Sequence, residues 1–331
     1  MKVEEDFKEF YNRFLIYNKD SFNKMENQRN EAIQERKNNK KIIIMVEILL
    51  LIVVIFWVKS FGLYENSEVV PELCFLAGFV FPMVIALKKR KKIEEYEDSY
   101  QNEIIRKLIK HFSLDLEYYP NETIGYEEYQ KIGTGNFNEF NSSNTIRGIY
   151  KNNEITFSKI ITKYIRSYNS YEGLDKPTRR KLHIEGEFEG IFITAKLSRS
   201  IKTDLYIKSK EELNERLFNS FIENVSNVER KEYYKIDVQD LKSFFDVYSS
   251  NPDGDIRILD SEMKTILTKI YNKQKFEFVI KNDCIYMRFW VDGLFSNPPL
   301  KREINDKEIL YKNYKALYLV FYLLTRIEEK I

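Results

Sequence analysis

Histidine, cysteine, proline and glycine are all scarce in this chain, and each shortage removes a class of function. There are two histidines, His111 and His183, and two cysteines, Cys74 and Cys284. No HExxH occurs and no cysteine or histidine has a partner at ligand spacing, so zinc chemistry is not expected. Two isolated thiols without a CxxC suit a reducing compartment and plain buried roles. With 11 glycines and 7 prolines in 331 residues, collagenous and linker-rich architectures fall away. No GxSxG or Walker A loop is present, which removes the motif basis for hydrolase or nucleotide-binding assignments. Gly133-Thr134-Gly135 begins like a dinucleotide fingerprint but has no third glycine and no βαβ context, so it reads as a turn. Asn251-Pro252-Asp253-Gly254-Asp255 lacks the spaced oxygen ligands and closing Glu of a calcium loop and reads as a Pro-Asp-Gly turn. No cofactor and no metal is expected.

Charge of one sign is also lacking. The chain carries 53 Lys/Arg against 51 Asp/Glu. Up to residue 92 the count is 16 against 12, which leaves 37 against 39 for the remainder. The larger C-terminal part therefore has no net basic footprint, and no nucleic-acid partner is expected. Lys176, Arg179, Arg180 and Lys181 make one local basic run, either a solvated face or a contact for anionic lipid or an acidic partner.

What the sequence does have is two apolar runs, Ile42–Val58 and Val69–Leu87, each with one charge, Glu47 and Glu72. At ~1.5 Å per residue they measure roughly 25 and 28 Å, close to the ~30 Å of a bilayer core. The pattern predicts a two-helix transmembrane hairpin over residues 42–92, with Trp57 at an interface. Arg36, Lys37, Lys40 and Lys41 precede the first run, and Lys88, Lys89, Arg90, Lys91 and Lys92 follow the second. By the positive-inside rule both termini are cytoplasmic, in a multi-pass cell-membrane protein with a short external loop. Glu47 is then a candidate intramembrane site, with interfacial snorkelling or pairing to Lys41 or Lys88 as the plainer reading.

Phe7, Phe10, Tyr11, Phe14 and Tyr17 recur at helical spacing, as do Ile93, Tyr96, Tyr100, Ile104, Leu108 and Phe112. These stripes predict an amphipathic cytoplasmic helix over residues 1–41 and a stalk helix over 93–112. Residues 113–331 then read as a cytoplasmic domain. Glu154–Ser158 and Asp204–Lys208 are strand-like, and Ile191, Ile193, Ala195 and Leu197 alternate as one buried face. Ser243–Tyr248 is extended, Asp260-Ser261 caps a helix to Tyr271, and Lys275–Ile280 with Cys284–Val291 form a hairpin. Leu310, Tyr314, Leu317, Phe321 and Leu324 mark a final core helix. The expected fold class is α+β: the hairpin and helical stalk, plus a mixed, mainly antiparallel sheet domain with a C-terminal helix.

An ordered series of short segments carries a family likeness. It runs through Tyr119-Pro120, Arg147-Gly148, Ile155-Thr156-Phe157-Ser158 and Glu187-Phe188-Glu189-Gly190-Ile191-Phe192. It continues through Phe244-Phe245-Asp246-Val247-Tyr248, Arg257-Ile258-Leu259, Ile285-Tyr286-Met287, Leu294-Phe295 and Thr325-Arg326-Ile327. Over most of residues 114–327 the chain resembles the bacterial domain-of-unknown-function family 3137. It departs at Asp260-Ser261, where that family has a Thr-Pro helix start. The resemblance implies a membrane anchor with a cytosolic domain and a membrane-protein partner, and it brings no catalytic residues. The expected function is a membrane-tethered interaction or scaffold module, whose partners are the bilayer and a membrane protein or a second copy of the chain. The alternatives are a subunit of a pore or transporter-associated complex using Glu47, and an enzyme with a carboxylate site at Asp253, Asp255 and Arg257.

Overall fold

A computed structural model describes residues 3–61, 92–132, 137–171, 177–197, 201, 203–210, 222–223, 225–227, 229–251, 257–272, 274–291, 293–296 and 298–329. The chain divides into two compact units, one of residues 106–296 with 311–331, the other of residues 2–105 with 297–310.

Among the described residues the first unit is built on a nine-stranded sheet in which every pairing is antiparallel. Its strands are β1 (Leu116–Tyr119), β2 (Glu139–Tyr150), β3 (Asn153–Tyr171), β4 (Pro177–Lys196), β5 (Leu205–Ser209), β6 (Tyr234–Ile236), β7 (Phe245–Ser249), β8 (Phe276–Lys281) and β9 (Cys284–Trp290). The spatial order is β1-β2-β3-β4-β9-β8-β5-β7-β6. β1 to β4 are neighbours in sequence and in space, whereas β4 pairs next with β9, Gly190 lying opposite Trp290. β5 inserts between β8 and β7 rather than beside β4. β8 and β9 turn through Asn282 at φ +56°, a conformation asparagine tolerates.

Helices cover one face of this sheet. They are α3 (Arg106–Phe112), α5 (Ser261–Tyr271) and α6 (Lys307–Glu328), numbered after α1 (Val3–Tyr17) and α2 (Lys19–Phe61) of the other unit, with the short α4 (Tyr126–Gln130) between them. Asp260 caps α5 by accepting from the Met263 amide at 2.8 Å. Phe321 of α6 packs on Phe157 of β3, Tyr150 of β2 and Phe112 of α3. Tyr271 of α5 packs on Phe245 of β7. The fully buried Phe157 and Phe245 each contribute about 1.5–3 kcal/mol, while Phe112, Tyr150 and Tyr271 are half-buried. The opposite sheet face holds Ile160, Phe192, Tyr206, Tyr248, Val279 and Tyr286, roofed in part by Tyr129 of α4 and Ile132. Both faces are thus covered, so β4 buries Phe192 as completely as Ile191 and Ile193 rather than offering a single buried side.

In the second unit α1 buries Phe7, Phe10 and Phe14, while Tyr17 is exposed. The chain breaks at Asn18, whose side-chain amide donates back to the Phe14 carbonyl at 2.9 Å. Tyr11 Oη donates to the Asn305 carbonyl at 2.9 Å, and Tyr96 Oη to that of Pro298 at 3.1 Å. Residues 92–100 are helical and pass into a π-turn, Gln101–Ile105.

The transmembrane hairpin does not stand. Among the described residues no helix is long and apolar enough to cross a membrane. Ile42–Val58 is instead the C-terminal part of the 43-residue α2, whose first half is strongly charged. Seventeen residues interrupted by Glu47 give ~25 Å of helix, short of a ~30 Å hydrocarbon core. Val69–Leu87 lies outside the described residues. The sheet, read from sequence as mixed, is wholly antiparallel in its described pairings.

Candidate functional site

The described residues singled out from sequence are placed on their own elements as follows. Glu47 lies within α2, and Arg36, Lys37, Lys40 and Lys41 precede it on the same helix. Lys92 starts the helical residues 92–100, while Lys88, Lys89, Arg90 and Lys91 lie outside the described residues. Arg257 opens a short 3-10 turn, Arg257–Leu259, and Asp253 and Asp255 again lie outside the described residues. No group of three or more His, Cys, Asp or Glu able to hold a metal occurs among the described residues.

The chemistry concentrates elsewhere, on the α4 side of the sheet. Lys208 of β5, Glu277 of β8 and Arg288 of β9 stand side by side, all of them buried. Glu277 and Arg288 are direct register partners, and Lys208 falls one step beyond the Ile207–Phe278 pair. Glu277 Oε2 accepts from Arg288 Nη2 at 2.5 Å and from Lys208 Nζ at 3.4 Å. Arg288 Nη1 donates to Tyr129 Oη at 3.2 Å, and its guanidinium lies over the rings of Phe188 and Trp290, 4.8 and 4.3 Å from their centroids. Lys208 Nζ also donates to the Ile132 carbonyl. On the next strand Asp246 sits opposite Lys208 and pairs with Lys235 at 3.1 Å. Charges of alternating sign therefore cross β9, β8, β5 and β7 in one row.

Burial and pairing pull these groups in different directions. Burial alone would raise the Glu277 carboxyl, but Arg288 and Lys208 outweigh it and hold the group below the usual range. Burial would lower Arg288, and Glu277 with Tyr129 more than compensate, so it stays charged. For Lys208 burial wins: the ammonium falls to about 8, Glu277 opposing the fall and Arg288 adding to it. One carboxylate shared by two cations satisfies itself better than it satisfies the more weakly bound lysine. Glu277 Oε1 and Arg288 Nε have no hydrogen-bond partner among the described residues.

A lysine of lowered pKa is suited to carbonyl chemistry only if a substrate can reach it. Lys208 and Glu277 are each only 1% exposed beneath an aromatic roof, so the row holds strands in register instead. A one-residue slip of β5, β8 or β9 would carry a charge to the apolar face. One consequence is measurable. The folded chain releases the Lys208 proton near pH 8 and the unfolded chain near 10.5, so the unfolded state binds more protons between them. Stability is accordingly expected to rise between pH 7 and 9, by about 1 kcal/mol. Urea midpoints at those two pH values check it, and the rise should vanish in Lys208→Met.

A second cluster pins the β8–β9 turn. Buried Asp204 accepts from Lys231 Nζ and Tyr233 Oη, both at 2.9 Å, and from the Asn282 amide at 3.2 Å. The sequence signal for the buried row was a charge inside an apolar strand, Glu277 in Phe276–Lys281 and Arg288 in Cys284–Trp290.

The DUF3137 family model, described as a protein of unknown function, matches residues 186–328. Over that stretch the likeness to the family stands. The DUF3137 stretch holds Lys208, Glu277 and Arg288 together, whereas the segments at Tyr119, Arg147 and Ile155 fall outside it. No curated protein matches the chain. Among solved structures, the crystal structure of the mycobacterial trehalose monomycolate transport factor A, TtfA, aligns over 67% of this chain and 92% of its own, at 10% identity and a TM-score of 0.33.

Proposed function

We propose that the sheet unit is a non-catalytic binding module that engages an acidic protein segment through a projecting β-arm. The observation that carries this reading is the unequal length of β3 and β4. β2 accompanies β3 only to Lys163, beyond which the Asn138 side chain takes both the amide and the carbonyl of Ile165. β9 accompanies β4 only from Gly190, with Val291 donating to the Glu189 carbonyl. Six further pairs, from Arg166–His183 to Tyr171–Pro177, join β3 and β4 alone. That is ~20 Å of two-stranded ribbon, with an open edge on each side among the described residues.

An isolated two-stranded ribbon is marginal in water, and a third strand added to either edge supplies main-chain hydrogen bonds. The described strands of the arm carry Arg166, Arg179, Arg180 and Lys181 and no acid, which favours an acidic partner. The pore alternative rested on the hairpin, and no described helix is long and apolar enough to cross a membrane.

Replacing Arg166–His183 by Asn-Gly, which joins the register partners Ile165 and Ile184, should leave the thermal midpoint within a few degrees of wild type. Crosslinking capture and light-scattering mass should then show loss of the stoichiometric partner or self-oligomer that the intact chain retains. The same partner at the same stoichiometry on the arm-less chain, or a strictly monomeric and partner-free intact chain, would overturn the proposal.

A further inference from the structure

We propose that the unit containing α2 binds a ligand that carries a dianionic phosphate on a small apolar body, in a groove between α2 and the turn at Leu300-Lys301. Its lining is Arg29, Ile33, Arg36, Lys37 and Lys40 of α2 with Leu300 and Lys301, around about 400 Å³. At ~100° per residue the five α2 positions fall within an arc of roughly 100°, so one helix face builds the wall. Glu31 and Glu35 lie on the far side of the helix by the same count. The volume suits a small molecule.

Acidic groups act at one end of the groove, where Glu26 and Glu303 raise the Arg29 pKa, and the remaining cations are unopposed among the described residues. Arg29 is already engaged: it pairs with Glu26 and donates to the Leu300 carbonyl at 2.6 Å, which ties the turn to the helix. Arg36, Lys37, Lys40 and Lys301 have no acidic partner among the described residues, and all four are exposed. Arg36 with Lys40 and Lys37 with Lys40 are like-charged at i,i+4 and i,i+3, each repelling by about 0.2–0.5 kcal/mol. A bound dianion reverses the sign of those terms. Arg29 offers a guanidinium fixed in place by its two partners, and lysines supply mobile point charges, a division common at phosphate sites. Ile33 and Leu300 provide the apolar contact that a bare inorganic ion would not use. The inference is independent of the β-arm, which belongs to the other unit.

Calorimetric titration of the purified full-length chain with octyl phosphate below its micelle concentration, inorganic phosphate, pyrophosphate and octyl glucoside tests it. Octyl phosphate is expected to bind once per chain, at least tenfold tighter than inorganic phosphate, and to weaken with added salt. Lys37→Glu/Lys40→Glu, at exposed positions that leave the melting temperature unchanged, should weaken it at least tenfold, and Lys242→Glu on the other unit should not. Equal binding of octyl phosphate and the two inorganic ions would overturn the apolar part of the proposal. Saturable binding by octyl glucoside at the same concentration, no saturable binding by any phosphate, or full binding by Lys37→Glu/Lys40→Glu would overturn the proposal.

Discussion

Glu277→Gln is expected to lower the unfolding free energy by about 3–5 kcal/mol, a large part of what a domain of this size has. The substitution keeps shape and volume, so the loss measures charge. It leaves Arg288 and Lys208 buried beside one another with no anion between them. Lys208, already lowered to about 8, is the group that gives up its proton. Lys208→Met should differ sharply and stay within about 1 kcal/mol of wild type, because removing a poorly solvated ammonium offsets the donor lost by the Ile132 carbonyl. Urea unfolding at pH 7 separates the two. Equal costs for both variants would show that Glu277 does not neutralise the row.

Gly190→Ala is the second change with a large expected cost, about 3 kcal/mol or more. A Cβ built at Gly190 lies 1.9 Å from the Phe289 carbonyl oxygen and 2.8 Å from the Phe188 ring. β4 and β9 must separate to admit it, and that junction joins the β1–β4 meander to the rest of the sheet. Phe188 also covers Arg288, so the displacement reaches the charge row. Gly190→Ala and Glu277→Gln combined should therefore cost less than the sum of the two singles. Gly148→Ala is the milder comparison. Its φ of +151° and a 2.1 Å approach to the Asp115 carbonyl also require glycine, but only the edge strand β1 must move. A melting temperature for Gly190→Ala equal to wild type would contradict the close packing of β4 on β9.

Both glycines lie in segments that carried the family likeness, Arg147-Gly148 and Glu187–Phe192, and neither has room for a Cβ. The Asp260 cap, the β8–β9 hairpin and the apolar stripe of α6 were legible because each is set by neighbours within a few residues. Strand order was not legible. A period of two shows which side chains share a face, not which strand lies alongside, so the place of β5 between β8 and β7 had no local signal. The charge row was hidden because a single Lys or Arg in a strand reads as a solvated edge until three strands bring opposite signs together. Ile42–Val58 misled in the other direction. Its hydropathy fits a membrane span, but a window average does not register that the same helix begins with Lys19 and continues through a charged half.

The Gly190–Trp290 pairing sets a waiting time during synthesis. β1 to β4 can assemble as soon as residue 196 is clear of the ribosome, since each strand pairs with its neighbour in sequence. The outer edge of β4 then stays open until β9 emerges, a further hundred residues along. At ~5–20 residues per second this lasts roughly 5–20 s. Over that interval a nascent chain shows Ile191, Ile193 and Ala195 beside an unpaired backbone, a template for any other strand. Production of this protein should therefore depend more on chaperone supply and elongation rate than its final stability suggests.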